Sequence, residues 1–263
     1  MHILKGYTKQ EISWMMYDWA NSAHSVIIVT LLPIFFDTVA GYTADSVSSM
    51  STWGYATSIA MLIVALAAPF LGVFGDIRGM RKKLFSFFML LGVAACAGMA
   101  FTPGMDFTSG PVAAGKVASL ILVLYIVSVI GFDASAIYYD AFLTDVTIED
   151  RMDKVSTMGY GLGYIGGSTI PLLIFLIMNL VGVPMLTCLA FVFGLTAVWW
   201  LAFSLPLLKN CEQTSGKPYE KGDVARSIKG VGTTIKEIIA NKPMLIYIPV
   251  SYTHLRAHET EAD

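Results

Sequence analysis

The sequence predicts an all-α membrane protein with six transmembrane helices, and three observations carry that prediction. Of 263 residues, 56% are hydrophobic and 14% are charged, and the mean hydropathy is +0.66, far more apolar than a soluble domain. Six separate apolar runs each approach the roughly 20 residues that a helix needs to cross a bilayer core. Lysines and arginines collect in alternate loops, the asymmetry that orients a multi-pass protein.

The spans fall near 14–40, 52–75, 84–101, 117–142, 158–181 and 184–208, and a seventh apolar run begins near Met244. Arg78, Arg81, Lys82 and Lys83 lie between spans two and three, and Arg151 and Lys154 between four and five. Seven more basic residues from Lys209 to Lys242 follow span six. The alternate loops hold only Lys116, at a span entrance. The N-terminus and the loop after span six are therefore expected on the cytoplasmic side. The first dozen residues, MHILKGYTKQEI, show no cleavable leader. Charge confined to loops, with a net of −2, forms no basic face and points away from nucleic acid.

Span one opens with WMMYDWANSAHS, in which Tyr17, Asp18, Asn21, Ser22, His24 and Ser25 carry hydrogen-bonding groups. Steps of three and four put Asp18, Asn21, Ser22 and Ser25 on one helix face. Inside a bundle of spans such a face lines an aqueous path or a helix contact. Span two ends in GVFGDIRGMRKK. There Gly72 and Gly75 allow close helix approach, Gly79 allows a tight turn, and Asp76 can pair with the bases that follow it.

Span four carries GFDASAIYYDAFLTDV. Asp133 and Asp140 share one face two turns apart, beside Tyr138 and Tyr139. Asp133 lies about 24 Å along its helix at 1.5 Å per residue, which submerges it and makes it a candidate for coupling to a proton or cation. Span five begins STMGYGLGYIGGS, whose Gly159, Gly163 and Gly167 stand at intervals of four and permit helices to touch backbone to backbone. A nucleotide loop is excluded there, because no strand precedes it.

Beyond span six, CEQTSGKPYEKGD reads as a polar linker. VARSIKGVGTTIKEIIANK then sets Val224, Ile228, Val231, Ile235 and Ile238 at helical spacing, as a basic amphipathic helix or an ordinary connector. The three cysteines, Cys96, Cys188 and Cys211, have no metal or disulfide spacing.

Taken in order, YDWANSAHS, GDIRGMRKK, YYDAFLTDV and GYGLGYIGG resemble the vacuole effluxer-like branch of the major facilitator superfamily. The likeness runs from about Trp14 to Leu208. Two departures are Ile77, where a basic residue commonly follows the aspartate, and Thr144, where the branch favours proline. The resemblance implies twelve spans in two six-span halves, each of three-plus-three inverted repeats, with the substrate path between them. On that basis this chain is the N-terminal half of a twelve-helix fold, divided as a six-span half (1–208), a central cytoplasmic loop (209–243), the start of a truncated seventh span (244–249) and a non-native tail (250–263). The tail's VSYTHLRAHET can be written in codons as a transposase-type sequencing adapter, so His254 and His258 are expected to hold no metal.

The function implied is secondary active transport of a small polar, amino-acid-like solute across a bacterial cytoplasmic membrane. Its partners would be the bilayer, a coupling proton or cation, and a second six-span half. No cofactor and no enzymatic reaction are expected, since no Ser/His pair, HExxH or metal cluster is placed on facing spans. Tyr17, Asp18, Asn21, Ser22, Asp133, Tyr138, Tyr139 and Asp140 are the candidate substrate and coupling residues. Gly72, Asp76, Gly79, Arg81 and Lys82 are the candidate conformational latch. A six-span scaffold or receptor that does not transport is the alternative, and it predicts that Asp133→Asn leaves activity intact.

Overall fold

The structure is a computed structural model. It describes residues 6–43 and 48–218, and residues 229, 230, 232, 233, 236, 237, 240 and 241 further on. Among the described residues, six helices are long and apolar enough to cross a membrane. They are built from α1 (Lys9–Ala40), α2 (Ser49–Gly75), α3 (Arg81–Met99), α4 (Pro111–Val146), α5 (Glu149–Leu162), α6 (Thr169–Leu180) and α7 (Met185–Asn210). Span five is composite: α5 passes through a π-helical turn, Gly163–Ser168, into α6. Every predicted span is present.

Helix α1 starts five residues before the predicted Trp14, and its reason is local. The Thr8 hydroxyl accepts from the Glu11 amide (3.1 Å), and the Thr8 amide donates to the Glu11 carboxylate (2.7 Å). This capping box satisfies two amides that a helix start otherwise leaves unpaired. The signal, Thr-x-x-Glu, is visible in the sequence. At α4 a proline takes the first helical position after Gly110 (φ 151°), a start that wastes no donor.

The packing has an internal two-fold pattern. Helix α3 packs against α4 as α7 packs against α1, and α2 packs against α4 as span five packs against α1. Two further pairs, α1 with α4 and α3 with α7, exchange onto themselves when the first three spans are swapped for the last three. A three-plus-three repeat predicts this set of partners. It puts α1 and α4 at the centre and leaves α2 with only Ala56, Ala60 and Gly75 buried.

Helix α3 crosses α4 at close range. A Cβ on Gly131 would lie 2.5 Å from the Gly92 nitrogen and 2.8 Å from the Phe88 carbonyl oxygen, and one on Gly92 would meet the Trp200 ring at 2.4 Å. Trp200, Tyr17, Tyr138, Phe35, Phe85 and Phe142 fill the interior around it. Without a hydrophobic drive between helices in lipid, such close packing is the main source of association.

The compact helical unit runs to Lys217, beyond the predicted boundary at Leu208. Residues 211–217, read from sequence as linker, are an ordered strap laid across the loop between α2 and α3. The strap forms a parallel bridge to that loop, with Lys217 N–H donating to the Asp76 carbonyl (3.1 Å) and Arg78 N–H to the Lys217 carbonyl (3.0 Å). Of a second unit, 218–263, the described residues between 229 and 240 are helical. Val224, Ile228, Val231, Ile235 and Ile238, the start of the seventh span and the tail lie outside the described residues.

Candidate functional site

Asp18, Asn21, Ser22 and Ser25, predicted to share a face of α1, line one cleft of about 350 Å³ together with Val26, Thr30, Phe132, Tyr160, Tyr164 and Ser168. The cleft lies where α1 of the first triplet meets α4 and span five of the second. Among these lining residues Asp18 is the one charged group.

Asp18 is held from two sides. The Tyr139 hydroxyl donates to its Oδ2 (2.8 Å), and the Tyr139 ring stacks on Trp14 (4.3 Å between centroids), whose indole N–H donates to the Tyr139 carbonyl (2.9 Å). On the other side Gly159 leaves room for the carboxylate: a Cβ there would stand 2.6 Å from Oδ2. The glycine series of span five is a mould for α1. Gly163 abuts Ser22 Oγ, Gly166 underlies the Trp19 ring, and a Cβ on Gly167 would stand 2.4 Å from the Trp19 carbonyl. These three glycines lie in the π turn, a feature common at functional sites. The Tyr164 carbonyl accepts from the Thr169 hydroxyl (2.9 Å).

The other sequence candidates divide. Tyr17 is fully buried away from the cleft, sharing a hydrogen bond with Ser135 (2.8 Å) and accepting one from Trp200 Nε1 (3.4 Å). Tyr138 is also interior; its ring fills the space at Gly75 and its hydroxyl donates to the Leu71 carbonyl (3.1 Å). Both tyrosines therefore join helices rather than face the cleft, because each hydroxyl found a partner inside the bundle. Asp133 is half-buried and outside the cleft lining, with no hydrogen bond or ion pair among the described residues. Asp140 is exposed and also outside the cleft lining. Tyr160 and Tyr164, absent from the sequence candidates, share a hydrogen bond (3.1 Å) at the cleft wall. They occupy the helical interval of four, but only the glycine mould shows which way they face.

The latch residues keep the expected pairing of Asp76 with a following base and add a closer partner for Arg81. Gly79 does turn the loop (φ +81°), and Gly75 meets Tyr138, whereas a Cβ added at Gly72 would meet nothing within 4 Å. Asp76 is 81% exposed and stands 3.9 Å from Arg81. The strong partner of Arg81 is Asp145 of α4, which no sequence motif singled out; their side chains are 5% and 0% exposed. Arg81 also donates to the Ala141 carbonyl (2.9 Å) and Ser215 Oγ (3.2 Å).

The strap completes this cluster. Asp145 Oδ1 accepts from the amides and hydroxyls of Thr214 and Ser215 at 2.7–3.0 Å. Gln213 accepts from the Gly79 (2.8 Å) and Arg81 (3.3 Å) amides and donates to the Gly75 carbonyl (3.0 Å). Lys82 donates to the Cys211 carbonyl (3.1 Å). A second ion pair at the same end joins the starts of α1 and α5: Arg151 donates bidentately to Glu11 (both 2.9 Å), which also accepts from Thr147 (2.7 Å).

Burial pushes the Cys211 thiol up to about 12, so at neutral pH almost none is thiolate and alkylation is expected to be slow. Gln213→Ala, which frees the strap from the Gly79 turn, is expected to speed maleimide labelling of Cys211 about tenfold or more through local opening. Rate measurements in a Cys96→Ala, Cys188→Ala background would check this. An unchanged rate would mean that the strap is held without Gln213.

Fold and cleft together define a multi-pass membrane protein of the major facilitator type. The family described as "Vacuole effluxer Atg22 like" matches residues 41–149 and 144–254, and the chain belongs to that family. It is also 37% identical over 254 residues to an uncharacterized MFS-type transporter, YxiO, of Bacillus subtilis (strain 168), an alignment covering 94% of this chain and 56% of that protein. The chain thus spans about half the length of that curated relative.

Proposed function

We propose that this six-span unit is one half of a secondary active transporter that moves a small polar, amino-acid-like solute by alternating access. The observation that carries this reading is the polar cleft of Asp18, Asn21 and Ser22, set in an otherwise apolar helical unit between its two triplets. Polar groups at membrane depth are costly and are kept where they serve a path. A second six-span unit faces the cleft across the path, and substrate is exchanged as the two halves rock. Family membership and the similarity to an MFS-type transporter support the same reading.

Asp133 and Asp140 are assigned to coupling with a proton or cation. Arg81, Asp76, Gly79 and Lys82, with Asp145 added, form the latch that distinguishes the two conformations. The N-terminus and the strap lie on the cytoplasmic face of a bacterial inner membrane, where the basic residues collect.

The test uses the full-length protein in proteoliposomes, with an imposed proton gradient and a panel of radiolabelled amino acids. Gradient-dependent uptake that falls more than about tenfold in Asp18→Asn, with unchanged expression and folding, is the expected result. A fall of that size corresponds to about 1.4 kcal/mol. Full uptake by Asp18→Asn would remove the cleft from the path, and full uptake by Asp133→Asn would remove Asp133 from coupling.

A further inference from the structure

Building on the transport reading, we infer that the Asp18 cleft is a subsite for a methylated ammonium group, so that the solute it takes is one whose amino end is methylated. Three aromatic residues line it, Phe132, Tyr160 and Tyr164. The two tyrosine rings stand 4.8 Å apart at an interplanar angle of 63°. Both are well exposed, at 63% and 60%, so their faces are not used up in packing within the unit. Two ring faces set at a steep angle with a third ring nearby form the walls of an ammonium cage, in which the negative π faces attract a cation.

The charge in the cleft agrees. Asp18 is the single ionisable carboxylate in the lining, and no lysine, arginine or histidine is among the lining residues. Its Oδ2 is taken by Tyr139, while Oδ1 has no hydrogen-bond partner among the described residues and is left to face a ligand. The remaining groups, Asn21, Ser22, Ser25, Thr30 and Ser168, are neutral. A ligand whose only charge is a carboxylate would meet Asp18 as a like charge, and a neutral sugar would leave the Asp18 charge without a partner. A methylated ammonium uses the ring faces and the carboxylate together, and it needs no hydrogen-bond donor of its own.

Two features keep this geometry in place. The Tyr160 and Tyr164 hydroxyls bond to each other (3.1 Å), which sets the angle between the rings. The π turn and its glycines seat span five directly on α1, which sets the distance from the rings to Asp18.

The experiment is equilibrium binding of radiolabelled tetramethylammonium to the purified chain in nanodiscs, with neopentyl alcohol, sodium chloride and acetate as competitors. Saturable binding is expected, displaced by unlabelled tetramethylammonium and not by the neutral isostere, sodium or acetate. Tyr160→Ala and Tyr164→Ala are each expected to weaken it about tenfold, while Tyr160→Phe and Tyr164→Phe, which keep the ring faces and lose only the hydroxyl bond, weaken it far less. Asp18→Asn is expected to weaken it at least as much. No saturable binding, equal displacement by neopentyl alcohol or by sodium, or alanine variants that bind as well as the parent would each overturn the inference. Binding is read without a transport cycle. Transport of other solutes without tetramethylammonium binding would therefore sink this inference alone, and binding without transport would sink only the function on which it rests.

Discussion

Asp145→Ala is expected to destabilise the helical unit by about 3–5 kcal/mol, the usual cost of removing one partner from a buried ion pair. The Arg81 side chain is 5% exposed and that of Asp145 wholly buried, so the guanidinium left behind could not reach water, and the 81% exposed Asp76 at 3.9 Å is a weak replacement. Four strap donors from Thr214 and Ser215 would lose their acceptor in the same step. An SDS-unfolding titration of the purified chain measures the loss. The paired change Arg81→Met with Asp145→Leu is expected to recover most of it, because a buried pair replaced by apolar residues of similar volume is often close to neutral. If Asp145→Ala unfolds like the parent, the cluster does not hold the strap to α4.

Gly131→Ala is expected to be as damaging, by a different mechanism. One added carbon would stand 2.5 Å from the Gly92 nitrogen, 2.7 Å from its Cα and 2.8 Å from the Phe88 carbonyl oxygen. All three atoms are backbone, so no side chain can swing aside, and α3 must move away from α4 and from Trp200 behind it. Overpacking of a dense core commonly costs about 1–3 kcal/mol, and an obstacle made wholly of backbone places this variant at or above the upper end. Gly161→Ala, where nothing lies within 4 Å, is the matched control, and the same titration should show it within about 0.5 kcal/mol of the parent. Equal stability of the two variants would mean that α3 and α4 do not cross at their glycines.

The two outcomes also separate what glycine does at different places in this chain. Gly159, Gly163 and Gly167 stand at intervals of four, and their use against α1 follows from that spacing, as GxxxG contacts in membranes lead one to expect. Gly92 and Gly131 have no second glycine four residues away. Their pairing depends on where two helices cross, which no local motif encodes.

The same division holds across the site. Asp18, Asn21, Ser22 and Ser25 were legible as one face because a helix converts intervals of three and four into a stripe. The six spans were legible because crossing a bilayer demands a long apolar helix, and the chain supplies six. Thr8 and Glu11 could have extended α1 to its true start, since a capping box is a local pattern.

What local patterns could not decide is which of several equivalent groups meet. Tyr17, Tyr138 and Tyr139 look alike in sequence. Only the packing of α1 and α2 against α4 sends the Tyr17 and Tyr138 hydroxyls to Ser135 and Leu71 and that of Tyr139 to Asp18. Arg81 stands 3.9 Å from nearby Asp76, a long and exposed pairing. The tertiary structure gives it Asp145, 64 residues away, and turns a polar segment that reads as linker into a strap. By itself, then, the sequence determined the class of protein, the number of spans and the polar stripe, because these follow from bilayer thickness and helical periodicity. The tertiary structure alone decided the cleft, the buried ion pair and the strap, because each depends on contacts between residues far apart in the chain.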